Sequence, residues 1–273
     1  MTGTAPVTLA NLGRDDFRRA CRIVYDVAGI SMSDGKEGLV SSRLSKRIRE
    51  LGLPGYAEYL DRVERDDAEL AEMVDRLTTN KTNFFRERAH FDLLRDRVLP
   101  AAAGRTLRLW SAGCSSGEEP YTMAMVLQEA TGGKANANIL ATDISARMLT
   151  KARDGLYLPE TVADVDAALI QRHFQPAKSE AGAPRMQVRE HLRKMIRFAR
   201  LNLMEEWPMR GPFDAIFCRN VMIYFDRPTQ ERLVNRFFTM LAPGGYLFIG
   251  HSETLHALDH GYAYAAPAAY VRP

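Results

Sequence analysis

The sequence predicts an α/β, Rossmann-like fold preceded by a small all-helical domain. Three observations carry this. The first eighty residues show helical periodicity and no strand signal; after Pro100, short apolar runs alternate with amphipathic stretches; and the run Leu107–Trp110 stops at a turn bounded by Gly113 and Gly117.

In the helical part, Asp15 and Asp16 precede the spacing Phe17, Ala20, Cys21, Val24 and Ala28, and Gly29 closes that helix. A second helix runs from about Glu37 to Leu51, ended by Gly52 and Pro54. Tyr56–Val63 and Ala68–Leu77 supply two more, with an acidic turn at Asp66 and Asp67 between them. After Pro100 the first strand, Leu107–Trp110, leads to a helix at about Pro120–Ala130. A Gly-Gly-Lys turn precedes the strand Asn138–Ile144, whose helix starts at Ser145, and a mixed helical segment follows to Phe174. Two alternating stretches, Arg185–Glu190 and Met195–Leu203, follow the loop Pro176–Pro184 and read as a small antiparallel insertion. Phe213–Cys218 is a short apolar strand and Thr229–Leu241 an amphipathic helix. Pro243-Gly244-Gly245 turns into Tyr246–Gly250, and Tyr262–Val271 closes the chain as a strand or strand pair. Alternation of this kind implies a mainly parallel sheet with right-handed crossovers. The expected domains are 1–83, helical with its linker, and 84–273, with the β subdomain at about 176–203.

Composition narrows the function. The 273 residues carry 37 Lys and Arg against 34 Asp and Glu, a balance of +3 that does not mark a nucleic-acid binder. No apolar run reaches membrane-spanning length, and MTGTAPVTLA lacks the basic-then-apolar layout of a secretory leader. Cys21, Cys114 and Cys218 form neither a metal-spaced cluster nor a paired framework, which suits a reducing cytoplasm. Cys114 and Cys218 sit near the ends of strands that could be neighbours, but buried free thiols are the default. A monomer is adequate to the fold.

The turn LWSAGCSSGEEPY, Leu109–Tyr121, lets a nucleotide-like ligand approach backbone at a strand's carboxyl end. Glu118 and Glu119 at that turn would repel a phosphate and suit a cationic group, which points to S-adenosylmethionine rather than NAD or ATP. Either carboxylate also serves a helix N-terminus, and which one faces a ligand stays open. Asp143 closes the next strand, where an acidic residue meets a ribose in dinucleotide-type folds; it is equally placed to cap the following helix. Arg219, Asn220 and Tyr224 follow the strand Phe213–Cys218, over the same crevice. The polar run Thr78–Glu87, between the two parts, is a cap-and-core segment or a ligand clamp.

Five blocks in order, TTNKTNFFRE, WSAGCSSGEEPYTMAM, ATDISARMLTKARDGLY, FDAIFCRNVMIYFD and APGGYLFIGHSE, closely resemble the CheR family of chemotaxis receptor glutamate O-methyltransferases. The resemblance covers nearly the whole chain. It implies an S-adenosylmethionine-dependent methyltransferase domain with a small antiparallel β insertion. It also implies cofactor contacts from Asn80, Thr82, Arg86 and Glu118, with Asp143 on the ribose and Asn202, Leu203, Arg219 and Asn220 around the adenosine and methionine parts. Tyr224 and Arg219 are the residues expected to align the acceptor. The implied partner is the cytoplasmic helical region of a methyl-accepting receptor, with no nucleic acid and no membrane insertion. On the second helix Arg43, Lys46 and Arg47 share one face at i, i+3 and i+4, which is either a solvated face or a dock for an acidic receptor bundle. The short loop Ala177–Pro184, with Gly182 as its one glycine, argues against a tether to a receptor's C-terminal peptide. A methyltransferase with another acceptor and a cofactor-sensing module without turnover are the rival readings.

Overall fold

The computed structural model describes residues 11–102 and 104–273. The leader layout sought in residues 1–10 lies outside the described residues. The chain forms two units: one runs to Thr79 and takes in Tyr224–Asp226, and the other comprises Asn80–Ile223 and Arg227–Pro273. The break thus falls between Thr79 and Asn80, where the sequence reading set it at 83/84.

Among its described residues the first unit has four helices: α1 (Arg14–Ala28), α2 (Glu37–Glu50), α3 (Tyr56–Val63) and α4 (Asp67–Leu77). Gly29 adopts the left-handed conformation and its N–H donates to the Tyr25 carbonyl, ending α1 as the sequence suggested. The Asp66 side chain accepts from the Ala68 and Glu69 N–H groups and caps α4. The apolar stripes meet in one core that includes Phe17, Leu44, Tyr59, Leu60 and Met73. Tyr224–Asp226 belongs to this unit. Phe225 pairs with Ile30, the Ser31 N–H donates to the Tyr224 carbonyl at 2.7 Å, and the Tyr25 hydroxyl donates to Asp226 at 2.6 Å.

The second unit opens with α5 (Ala89–Leu93), which passes through one π turn (Leu94–Val98) into α6 (Leu99–Ala101). Then come β1 (Leu107–Ala112), α7 (Glu118–Ala130), β2 (Ala137–Asp143), α8 (Ala146–Asp154), β3 (Leu156–Tyr157), α9 (Ala167–His173), β4 (Phe174–Lys178), β5 (Pro184–Val188) and α10 (Glu190–Arg193). The chain finishes with β6 (Ile196–Arg200), β7 (Phe213–Cys218), α11 (Arg227–Met240), β8 (Leu241–Ile249), β9 (Ala263–Ala266) and β10 (Ala269–Val271). Seven strands form one sheet in the order β6-β2-β1-β7-β8-β10-β9, parallel from β6 to β8. The antiparallel β10 and β9 finish one edge. The order reverses between β1 and β7, and the crevice beyond their carboxyl ends is where such sheets bind ligands.

A small antiparallel sheet exists, but not with the strands expected. It is β3-β5-β4. The expected partner Met195–Leu203 instead supplies β6, which runs parallel to β2 from Ile139↔Ile196 to Asp143↔Arg200. The reason is that an edge strand of a parallel sheet also alternates buried and exposed positions, so the pattern does not tell it from a strand of a separate antiparallel ribbon. Similarly, Pro243-Gly244-Gly245 does not turn the chain but lies inside β8, whose pairing shifts register against β7 between Phe213 and Ala215. Cys114 and Cys218 are buried free thiols, and burial pushes both thiol pKa values up.

Candidate functional site

Beyond β1 the chain reverses within five residues. Gly113 (φ 92°), Ser115 (φ 48°) and Gly117 (φ 98°) are all left-handed, and the Gly113 and Cys114 N–H groups both donate to the Thr142 carbonyl at the end of β2. Neighbouring side chains, as much as any ligand, require the glycines. A Cβ at Gly113 would stand 2.5 Å from Val221 Cγ2, and one at Gly117 would stand 2.9 Å from Ala152 Cβ and 3.0 Å from the Tyr157 hydroxyl.

Asp143 holds this turn. Its Oδ2 accepts the Ser115 N–H at 2.8 Å and its Oδ1 accepts the Ser145 N–H at 2.8 Å. The cap of α8 is Ser145, whose hydroxyl accepts the Met148 N–H.

The two carboxylates at the start of α7 differ. Glu119 accepts from the Ser111 hydroxyl at 2.6 Å and pairs with Arg219 at 3.0 Å. Glu118 is 4 % exposed and accepts the Ser116 hydroxyl, at 2.7 and 3.0 Å. Burial raises the Glu118 carboxyl above its ordinary value, while the Ser116 hydroxyl, a main-chain N–H and the Lys151 charge pull against that only in part. Of the pair, Glu118 is the one that makes no salt bridge within 4.0 Å among the described residues, Lys151 acting on it only from farther away.

Arg219 is the hub of the opposite wall. Its side chain is 2 % exposed, it pairs with Glu87 and Glu119, each at 3.0 Å, and it donates to the Arg86 carbonyl. Its guanidinium lies 5.3 Å from the centre of the Phe91 ring. Burial works against the Glu87 charge, but Arg219 holds that carboxyl below its ordinary value. Asn220 is left-handed (φ 58°), and a Cβ at Gly250 would collide with its side-chain amide.

The linker joins the same site. The Asn80 carbonyl accepts the Ser115 hydroxyl at 3.1 Å, and the Arg86 guanidinium folds back to the Lys81 carbonyl at 3.0 Å. Thr82, half-buried, lies inside that turn in sequence. Phe85 (φ 53°) and Glu87 (φ 55°) are left-handed as well. Among the described residues five non-glycine residues adopt this conformation, and four of them (Phe85, Glu87, Ser115 and Asn220) border the site, the concentration of backbone strain expected where function fixes geometry. At the end of β6, the Leu201 N–H donates to the Asp143 carbonyl. The Asn202 side chain then bonds Met204 N–H and Glu205, and Leu203 offers its carbonyl to Arg236 at 2.7 Å.

Glu87, His90 and His251 offer ligand atoms within 4.8 Å of one another. Arg219 already stands 3.0 Å from Glu87, and Glu87 also accepts the His251 N–H. A second cation there would meet the guanidinium charge. Burial and then Arg219 hold His90 down to about 4.

The helical unit uses its basic face internally. Arg43 donates to the Leu77 and Thr78 carbonyls at 2.7 and 3.0 Å, at the end of α4, and Arg47 makes a two-pronged pair with Glu69 at 2.9 and 2.7 Å. The shared face is real, but α4 takes two of its three charges; Lys46, with its side chain 76 % exposed, stands 4.0 Å from Glu50. Sequence reading missed Glu87 and Glu253, although both lie inside the blocks TTNKTNFFRE and APGGYLFIGHSE.

Two family profiles match the chain: "CheR methyltransferase, all-alpha domain" over residues 15–78 and "CheR methyltransferase, SAM binding domain" over residues 80–269. Curated relatives agree along nearly the whole length. A chemotaxis protein methyltransferase of Borreliella burgdorferi is 41 % identical over 95 % of both chains. Chemotaxis protein methyltransferase 2 of Pseudomonas aeruginosa is 44 % identical over 90 % of this chain and 89 % of its own. The Escherichia coli chemotaxis protein methyltransferase is 40 % identical over 93 % and 89 %.

Proposed function

This chain belongs to the CheR methyltransferase family, and on that premise we propose that it methylates glutamate side chains of chemotaxis receptors. S-adenosylmethionine is the methyl donor of the family's binding domain, and when bound it supplies a methyl group on a positively charged sulfur. An acceptor glutamate is already ionised at neutral pH, with an ordinary pKa of about 4.3, so no general base is required. The carboxylate oxygen forms the new bond as the carbon–sulfur bond breaks, and opposite charges disappear together. The protein's task is then placement and exclusion of water.

The observation that carries this reading is Glu118, a buried carboxylate beyond the carboxyl end of β1 that makes no salt bridge among the described residues. It suits the ammonium of the methionine part, while Asp143 accepts the ribose hydroxyls. Asn80, Thr82, Arg86, Asn202, Leu203 and Asn220 complete the cofactor site in this proposal. Tyr224 aligns the acceptor through its hydroxyl. Arg219, whose guanidinium is taken by Glu87 and Glu119, acts by holding the loop after β7. Receptor docking by α2 falls mainly to Lys46. The receptor's helical region places the reaction in the cytoplasm, with a monomer sufficient.

Calorimetry with S-adenosylhomocysteine on the wild type and on Glu118→Gln tests the site. Binding weakened by roughly tenfold or more, as loss of a charge-assisted contact predicts, supports it; unchanged affinity removes Glu118. Radiolabelled methyl transfer to receptor cytoplasmic fragments, with a base-labile product, tests the acceptor. Tight cofactor binding with no labelled receptor would sink the glutamate reading.

A further inference from the structure

The last of the five sequence blocks ends in Glu253, a residue to which the sequence reading attached no role. It follows β8 by four residues, and its partly buried side chain turns back toward the strand ends. Oε2 accepts the Asn220 N–H at 2.9 Å and the Gly250 N–H at 2.5 Å, and Oε1 accepts the Ile223 N–H at 3.1 Å. No Lys, Arg or His pairs with this carboxylate among the described residues. Removal from water pushes it above the ordinary carboxyl range while the main-chain N–H groups pull against that.

An anion gathered by main-chain N–H groups alone is a nest, and its geometry is set by backbone and not by mobile side chains. Here the donors come from two loops. One follows β7 and the other follows β8, strands that run parallel with Cys218 opposite Ile249. The first of these loops starts with Arg219, carries the left-handed Asn220 and leads into Tyr224. The side-chain amide of Asn220 already crowds Gly250. Asparagine tolerates φ 58° better than other non-glycine residues but is not fixed there by itself, so the contacts around the loop select this conformation. Glu253 does so by receiving both Asn220 and Ile223.

We propose that Glu253 is a positioning residue for methyl transfer: its carboxylate fixes the backbone of the Arg219–Ile223 loop and so sets where Asn220 meets the cofactor. It touches neither cofactor nor acceptor. The proposal rests on the methyl-transfer reading above and adds to it a residue acting through main chain.

Glu253→Gln keeps the length of the side chain but replaces one acceptor oxygen with an NH2 donor. Glu253→Asp keeps the charge one methylene short. Amide hydrogen exchange, S-adenosylhomocysteine affinity, and kcat with its acceptor KM are measured on the full chain. In Glu253→Gln, exchange at residues 219–224 and at Gly250 rises by about tenfold or more while β7 and β8 keep their protection. In the same variant kcat falls roughly 10- to 100-fold, the cost of a misplaced reacting geometry. Acceptor KM stays within about threefold of the wild type, and Glu253→Asp recovers part of the loss.

Unchanged exchange at 219–224, or unchanged kcat, overturns the proposal. So does a loss of kcat accompanied by exposure of β7 and β8, which would make Glu253 a residue of the fold alone. If the wild type labels no receptor, the methylation reading fails separately. Exchange and cofactor affinity then decide the loop on their own: loosened exchange with weakened affinity upholds Glu253's hold on Asn220, and loosened exchange with unchanged affinity overturns it.

Discussion

The helical unit and the sheet unit handle charge in opposite ways. In the helical unit, ion pairs at or near the surface link neighbouring helices, Arg19 with Asp61 and Glu64, Arg76 with Glu50, and Arg47 with Glu69 as the most buried, while Arg76 also pairs with Glu72 within α4. No described non-glycine residue of that unit has a left-handed backbone. In the sheet unit the central charge is buried, shared between two carboxylates, and ringed by left-handed residues. The first region satisfies each local preference. The second departs from several of them around one crevice, the pattern of a site whose geometry is held by its surroundings.

The sharpest break in that contrast is Arg219→Met. It leaves Glu87 and Glu119 buried without a counter-ion, so urea denaturation should show a loss of about 3–5 kcal/mol. A loss under about 1 kcal/mol would put this hub on the same footing as the surface pairs.

Next in size is an acid effect. His90 has its folded pKa lowered to about 4, against about 6.5 unfolded. The unfolded chain therefore binds more protons between those values, so stability is complete above about pH 6.5 and falls as pH approaches 4. The loss is on the order of 3 kcal/mol. Melting curves across this range should steepen for the wild type and flatten for His90→Gln; parallel curves would remove His90 as the cause.

Arg47→Ala sharpens the helical side. Glu69 has its side chain 2 % exposed, and stranding it should cost about 2 kcal/mol in thermal unfolding. An unchanged melting point, with weakened receptor methylation, would return Arg47 to the docking surface that the sequence suggested. The smallest effect is Asp66→Ala, which removes the cap of α4 and should cost about 1 kcal/mol.

The same contrast explains what could be read in advance. The helix Tyr56–Val63 and the strand Phe213–Cys218 have the bounds expected of them, because their signals are local: a Gly before a helical stripe, and an unbroken apolar run. Asp143 and Glu118 were visible as candidates because each sits at a fixed offset from a glycine turn. By contrast, the spacing of Arg43, Lys46 and Arg47 shows that they share a face, but not that the neighbouring helix takes two of them. Strand β6 could not be assigned to the main sheet, since its pairing with β2 is a property of the tertiary fold. Glu87 and Glu253 were invisible as site residues because each acts on N–H groups far away in sequence, His251 for the one and Asn220 for the other.

One contact bears on how the protein could be simplified. Tyr157, in the small sheet, donates its hydroxyl to the Ser116 carbonyl at 2.7 Å and lies 3.0 Å from where a Cβ on Gly117 would stand. The insertion is therefore bolted to the turn that presents Glu118. A pruned variant lacking the small sheet would not be a leaner catalyst on an intact frame. It would lose the buttress behind the turn Gly113–Gly117, which makes the insertion a structural member and not a detachable accessory.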